Sequence, residues 1–169
     1  MSFGLDQIFR ALNGADVRFV VVGGLAVILH GHLRATRDLD LVIDLEPSNC
    51  SRGLDALRGI GLRPRLPVSL ADFADPAIRQ DWHDNRNMLV LQLWDPDNEE
   101  RAVDLFVREP VEFDGLYREA VVKTLQGTSV PVASIRHLIQ MKRDAARPRD
   151  RDDIEALLLI ARQTGAAIE

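Results

Sequence analysis

One stretch constrains this chain more than any other: Phe19 to Asp44, FVVVGGLAVILHGHLRATRDLDLVID. An apolar run ends in Gly23-Gly24, a short helical pattern follows, and Asp38 and Asp40 then alternate inside a second apolar run. In a strand, side chains at i and i+2 share a face and sit roughly 6.5–7 Å apart. Asp38 and Asp40 are therefore expected to point one way, with Leu39, Leu41 and Ile43 on the opposite, buried face. Side-by-side carboxylates repel, and strands are depleted in Asp. Such a pair suits Mg²⁺, with Mn²⁺ as the alternative, because a hard cation takes one or two carboxylates plus substrate phosphates. Gly23-Gly24 at the mouth of a helix offers the complement: backbone N–H groups and no Cβ to hold phosphate away.

The chain has 169 residues, enough for one domain with a buried core, with or without a helical appendage. A net charge of −5 argues against a general nucleic-acid coat protein but leaves room for a local basic groove. Positive charge is nearly all arginine, the lysines being Lys123 and Lys142. Cys50 stands alone, which excludes an internal disulfide and a cysteine-based zinc site. Met1 leads straight into an amphipathic pattern (Phe3, Ile8, Phe9, Leu12) without signal-peptide order. No apolar stretch approaches the ~20 residues that span a bilayer. A cytoplasmic, reducing location with no membrane contact is the expectation.

Periodicity predicts a helix over 3–13, a buried strand over 18–22, a short helix over 25–30 and a second strand over 38–43. Pro47-Ser48 reads as a turn before a helix over 51–60, and residues 62–86 as loop with a helical turn near Leu70–Phe73. Met88–Trp94 and Arg101–Val107 read as an antiparallel hairpin about Asp95-Pro96-Asp97-Asn98. A short helix over 116–121 and a strand over 128–132 follow. Ser134 then opens a helix through Ala146, and Asp150 caps a last helix to Gln163. The class is α+β or mixed α/β, a small mixed sheet with helices on one side. Residues 1–125 form the expected core and 126–169 a C-terminal helical extension packed on it.

Val103-Asp104-Leu105-Phe106-Val107 repeats the motif of an aspartate embedded in an apolar strand. Placed beside the Asp38/Asp40 strand, Asp104 would complete a set of three carboxylates able to serve one or two metals. Asp44 shares their parity but sits at the strand end beside Glu46-Pro47, where a turn role fits better.

Gly23-Gly24, a thirteen-residue gap, Asp38-Leu39-Asp40 and a distant strand aspartate resemble the nucleotidyltransferase superfamily of the DNA polymerase β type. The segments HGHLRATRDLDLVI (30–43) and LIQMKRDAARPRDRDDIEAL (138–157) resemble the small AbiEii-type toxins and minimal nucleotidyltransferases (MNT), many from toxin–antitoxin or abortive-infection systems. The resemblance runs from about Val17 to Leu157 and is weakest over residues 60–87. It implies the nucleotidyltransferase fold, with Asp38, Asp40 and Asp104 as metal ligands and catalytic groups, Asp104 helping to activate the attacking hydroxyl. It also implies that Gly23 and Gly24 cradle nucleotide phosphates and that Lys142 serves a triphosphate. Much of the superfamily has serine where Gly24 stands, so here only backbone donors remain at that position.

Arg34 and Arg37 flank the D-x-D segment and either brace a phosphate or the carboxylates, or stay solvated; Thr36 fixes the approach to the strand. Asp150 and Asp153 complement the dipole at the start of the last helix, a supporting role at the site being the lesser alternative for Asp153. His30 and His32 invite a metal reading, though His30 fits the end of a helix better, and His83 and His137 lack partners at metal-ligand spacing. Trp82 and Trp94 are base-stacking candidates, Trp94 fitting an apolar strand face better. The expected reaction is Mg²⁺-dependent transfer of a nucleoside monophosphate from an NTP, ATP included, to a hydroxyl of RNA (a tRNA 3′ end) or protein. A cognate antitoxin is the expected partner in a toxin–antitoxin system. Two alternatives stay open. One is an aminoglycoside-like small-molecule enzyme, with Asp72, Asp75, Asp81 and Asp84 lining an acidic pocket. The other is a nucleotide-binding or antitoxin module without turnover.

Overall fold

The apolar run before Gly23 forms β1 (Phe19–Val22), and every side chain in it is buried. β2 (Leu39–Ile43) lies antiparallel to it, Phe19 opposite Ile43 and Val22 opposite Asp40. A computed structural model describes residues 4–169, so Met1 and Phe3 of the N-terminal pattern lie outside the described residues. β4 (Val90–Asp95) and β5 (Asn98–Phe106) make the expected hairpin, with Gln92 opposite Asp104. β5 also runs parallel to β2, which sets Asp40 level with Asp104. β7 (Thr128–Val132) pairs parallel to β1 and antiparallel to β6 (Val121–Leu125), while β3 (Arg63–Pro64) is a short edge strand beside β4. The seven-stranded order is β3-β4-β5-β2-β1-β7-β6.

On one face, α1 (Leu5–Gly14) stacks Phe9 on Phe19 with ring centroids 6.0 Å apart. α3 (Pro47–Gly59) sets Gly53 against Val17 and Ile43 on the same face. Val20, Val22 and Val42, of the opposite parity, are buried as well. The centre of the sheet is thus covered on both faces rather than one. α2 (Gly23–Leu29) leaves β1 directly and contacts β2. α6 (Ile135–Ala145) and α7 (Arg151–Thr164) pack together near the C-terminus. Ser134 caps α6 by accepting from the His137 N–H at 3.3 Å. The β6–β7 hairpin straddles residues 125 and 126 and joins the central sheet, so a division there cuts a continuous sheet; the purely helical part starts at α6.

Three local readings change. Pro47 begins α3 instead of a turn, because the Glu46 carboxylate accepts from the Ser48 and Asn49 N–H groups and proline suits a first helical turn. Residues 76–86 form a helix, α4 (Pro76–Arg86), where loop was expected. Asp75 accepts from the Ala77 N–H at 2.8 Å and Asn87 ends the helix at φ 52°. Its apolar face is thin, anchored by the buried Trp82, so periodicity alone passes over it. The helix expected over 116–121 is α5 (Phe113–Arg118), and Val121 already belongs to β6.

Asp75→Ala tests the cap that starts α4. Loss of an N-cap carboxylate costs about 1 kcal/mol, which for a domain of this size lowers Tm by about 2–4 °C. Denaturant unfolding followed by circular dichroism should show that loss with an unchanged slope.

Candidate active site

The ends of β1, β2 and β5 meet where the glycine pair turns into α2. Gly23 has φ +67°, the left-handed region, and a Cβ there would lie 2.9 Å from the Asp40 Cγ and closer still to its carboxylate oxygen. Backbone conformation and contact both demand glycine. A Cβ on Gly24 would lie 2.7 Å from Thr36 Oγ1. Thr36 therefore fills the space into which a serine at position 24 would project, and places its own hydroxyl there. That hydroxyl also donates to the Asp38 carbonyl at 3.4 Å, tying the loop to the start of β2.

Asp40 and Asp104 lie on the same sheet face, in register on adjacent strands. Burial pushes the Asp40 carboxyl up to about 6, with the Asp104 and Asp38 charges adding to the shift and the Arg147 and Lys142 charges opposing it. Asp104 is also raised by burial; a hydrogen bond from Gln92 Nε2 to its Oδ1 at 2.8 Å, and the Arg65 charge, work the other way. Asp38 lies just before β2 and is exposed, and its charge is felt at both other carboxylates.

Among the described residues, no three His, Cys, Asp or Glu side chains converge closely enough to form a finished metal cage. The donors nonetheless fit Mg²⁺ or Mn²⁺ in kind. They are oxygen-only, and half-buried carboxylates raised first by burial and then by one another's charge gain from a hard cation between them.

Lys142 is buried beside the site and is not free. Its Nζ donates to Asp150 Oδ1 at 3.1 Å and to Asp153 Oδ2 at 2.7 Å. Arg34 pairs with the same Asp153 carboxylate, Arg147 donates to Asp150 Oδ2 at 3.1 Å, and His32 lies 3.9 Å from Asp153. Asp150 therefore does not cap α7 as expected; a buried ammonium needs its carboxylate, and the ion pair takes it. Asp153 ties α7 to both Lys142 and the Arg34 loop. Arg37 is exposed and lines, with Arg34, Thr36, Asp38, Arg65 and Gln92, a cavity of about 790 Å³.

Asp44 stays at the far end of β2, paired with Arg18 and accepting from the Glu46 N–H at 3.0 Å. Cys50 is buried, and burial pushes its thiol up to about 11. His30 donates from Nε2 to the Ala133 carbonyl at 2.8 Å, and His83 pairs with Asp84. Asp72, Asp75, Asp81 and Asp84 do not line the cavity beside Asp38. Asp75 caps α4, Asp81 pairs with Arg86 at 3.3 Å, and Asp84 accepts from Gln80 at 2.9 Å. Asp72 and Asp81 instead line a separate cavity of about 440 Å³ with Trp82 and Arg86, while Asp75 and Asp84 do not line it.

Gln92 and Arg65 escaped the sequence reading. A polar residue inside Val90-Leu91-Gln92-Leu93-Trp94 was the available signal for Gln92, since it alternates with the buried Leu91 and Leu93. Arg65 lay in the weakly patterned stretch. Its guanidinium rests 4.3 Å from the Trp94 ring centroid, and this is the role Trp94 has instead of packing on an apolar face.

A mixed sheet carrying a glycine turn and strand carboxylates at one end is the architecture of the nucleotidyltransferase fold. The chain belongs to the family described as nucleotidyltransferase of unknown function (DUF6036), whose profile matches residues 3–164. No curated protein matches the sequence. Among solved structures, the lincosamide antibiotic adenylyltransferase LnuA, lincomycin-bound, is 15% identical with TM-score 0.62, covering 95% of this chain and 98% of that one. ANT(2'')-Ia in complex with adenylyl-2''-tobramycin is 15% identical with TM-score 0.58, covering 95% and 87%. An antigenic nucleotidyltransferase-like protein from Paracoccidioides brasiliensis is 16% identical with TM-score 0.54, covering 96% and 76%. At such identities the likeness is one of fold. No described helix is long and apolar enough to cross a membrane.

Two measurements follow from the carboxylates. Asp40 has a folded pKa above its unfolded value of 3.8, so its favourable contribution, present at low pH, is lost as pH rises through about 6. Asp40→Asn should raise the metal-free Tm at pH 8 by several degrees, with the gain shrinking at pH 5. Millimolar Mg²⁺ should raise the wild-type Tm by mass action and leave Asp38→Ala/Asp40→Ala unmoved. An equal shift in both proteins removes these residues from the metal site.

Proposed function

We propose that this chain transfers a nucleoside monophosphate from an NTP, ATP among them, to a hydroxyl acceptor and releases pyrophosphate. The observation that carries the reading is the level pairing of Asp40 with Asp104 beside a Gly23 that tolerates no Cβ. In this reading Asp38, Asp40 and Asp104 hold Mg²⁺ or Mn²⁺. The cation, when bound, would offset phosphate charge and acidify the attacking hydroxyl. Gly23, Gly24, Arg34, Thr36 and Arg37 hold the nucleotide phosphates, and Lys142, its Nζ held by Asp150 and Asp153, adds positive charge behind them. Asp104 orients the acceptor hydroxyl and receives its proton. The acceptor oxygen bonds to the α-phosphorus, the bond from that phosphorus to the bridging oxygen breaks, and pyrophosphate leaves with the electron pair. Positioning and charge neutralisation do most of the work in such a transfer.

The acceptor in this reading is an RNA 3′ end, a tRNA among them, or a protein hydroxyl. The likeness of residues 30–43 and 138–157 to AbiEii and MNT proteins supports a toxin or modifying component of a toxin–antitoxin system, with a cognate antitoxin as partner. The names of the structural neighbours, which mention lincomycin and tobramycin, favour a second reading with a small-molecule acceptor. A module that only bound nucleotide would gain nothing from keeping repelling carboxylates together.

The test is incubation with Mg²⁺, α-labelled NTPs in turn, and cellular RNA, protein or an aminoglycoside. Label should pass to a macromolecule from the α position and not from the γ position. Label from γ alone means a kinase, and none from either position means a binding module. Asp104→Asn should abolish transfer while calorimetry still detects NTP binding; transfer at the wild-type rate defeats the carboxylate mechanism. Lys142→Ala should weaken nucleotide binding and lower stability by less than the ~3–5 kcal/mol of an orphaned buried charge, because Arg147 stays on Asp150 and Arg34 on Asp153.

A further inference from the structure

Across the sheet, one row of groups runs in strand order. Gly23 leaves the end of β1, Asp40 is on β2, Asp104 on β5 and Gln92 on β4, and Arg65 follows β3. The glycine turn and Thr36 sit on the β1 side of Asp40, and α6, which carries Lys142, contacts α2 there. If the nucleotide phosphates lie there, the attacking hydroxyl must come from the other side, over Asp104 and Gln92. What stands on that side is cationic. The Arg65 N–H donates to the Gln92 carbonyl at 3.0 Å, which fixes its backbone to β4. Its guanidinium lies 4.3 Å from the Trp94 ring centroid, held flat by cation–π attraction. Arg65 is exposed, makes no ion pair among the described residues, and its charge reaches Asp104. The same cavity of about 790 Å³ carries Glu99 and Glu100 at its outer end. Neither glutamate pairs with Arg65 among the described residues, although both line the cavity with it.

We propose that Arg65 on the Trp94 ring, with Gln92, forms an acceptor-side subsite for a phosphate close to the reacting hydroxyl, as in the 3′-terminal nucleotides of an RNA. A planar guanidinium backed by Trp94 suits both halves of that ligand: its N–H edge takes phosphate oxygens, and its outer face offers a surface on which a base stacks. A polycationic acceptor would meet this charge as repulsion. Gln92 keeps Oδ1 of Asp104 engaged at 2.8 Å, leaving the other carboxylate oxygen for the incoming hydroxyl.

This inference rests on the transfer reading, and the experiment separates the two. A fluorescein-labelled single-stranded RNA oligomer with a free 3′-hydroxyl is titrated into wild type, Arg65→Ala, Trp94→Ala and Arg63→Ala, over a range of salt. Arg63 is the charge-matched control, because its guanidinium is turned to the Leu62 and Arg58 carbonyls. Arg65→Ala should weaken oligomer binding at least tenfold and flatten the plot of log K against log salt by about 0.7, one phosphate contact to a single strand. Trp94→Ala should weaken it several-fold. Arg63→Ala should stay within twofold, and ATP affinity should be unchanged in all three variants. Ribose 5-phosphate and kanamycin serve as competitors. Displacement by the sugar phosphate at concentrations matching the oligomer overturns the RNA assignment, and tighter binding of kanamycin overturns the anionic subsite. Equal oligomer affinity and salt slope in wild type and Arg65→Ala overturn the proposal even if transfer is observed. Arg65-dependent RNA binding without α-label incorporation would instead defeat the transfer reading alone.

Discussion

The structure turns on a repulsion. Setting β2 parallel to β5 with Asp40 level with Asp104 places two carboxylates side by side on a half-buried face, where burial first, and the Asp104 and Asp38 charges after it, raise Asp40 to about 6. Nothing in sheet packing asks for this. The opposite parity of the same strands, Leu39, Leu41, Val103 and Leu105, supplies apolar burial that holds the register in spite of it. A one-residue slip would turn those leucines outward and the aspartates into the core. Register is thus specified by the buried face, and the charged face is carried along. The positively charged groups felt at Asp40 are Lys142 and Arg147, both from the C-terminal segment, which links that segment to the electrostatics of the sheet.

That link is itself an ion network. Lys142, Asp150, Asp153, Arg34 and Arg147 join α6, the turn at Pro148, α7 and the loop before β2. A buried pair of this kind is weak evidence for stability, since desolvation offsets much of the attraction. Its effect is geometric. Asp153 takes both Arg34 and Lys142, so the loop that carries Thr36 is held against Gly24 by a contact made more than a hundred residues later. Thr36 can then stand where a serine side chain would otherwise have stood.

How much of this could be read from residues alone depended on whether the signal was periodic or pairwise. Alternation in Leu39–Ile43 and Val103–Phe106 marked the strands and put Asp40 and Asp104 on a shared parity. Gly23-Gly24 announced a turn with close approach, though not that Asp40 was the group approached. α4 was missed because a capped helix with one large apolar anchor carries little periodicity. β6 was missed because its exposed Val121 and Val122 lie on an edge strand, where one face carries no burial pattern. The Lys142–Asp150–Asp153 cluster is spaced like an ordinary helix start, so Asp150 read as a cap until the buried ammonium was seen to claim it.

The division of labour across the sheet explains why fold likeness reaches only so far. β1, β2 and β5 carry the glycine turn and the carboxylates, and they sit at the centre, where both faces are covered and substitution is costly. The side from which an acceptor would enter is built by Gln92 on β4 and by Arg65 beyond the two-residue edge strand β3. An edge strand that short has few ladder bonds to preserve, and the stretch after it reaches the sheet through single contacts such as the Arg65 N–H to the Gln92 carbonyl at 3.0 Å. Change there alters what is presented beside Asp104 without disturbing the register of Asp40. On the proposed reading, the exposed guanidinium on Trp94 is the group of this chain that would favour an anionic acceptor over a cationic one.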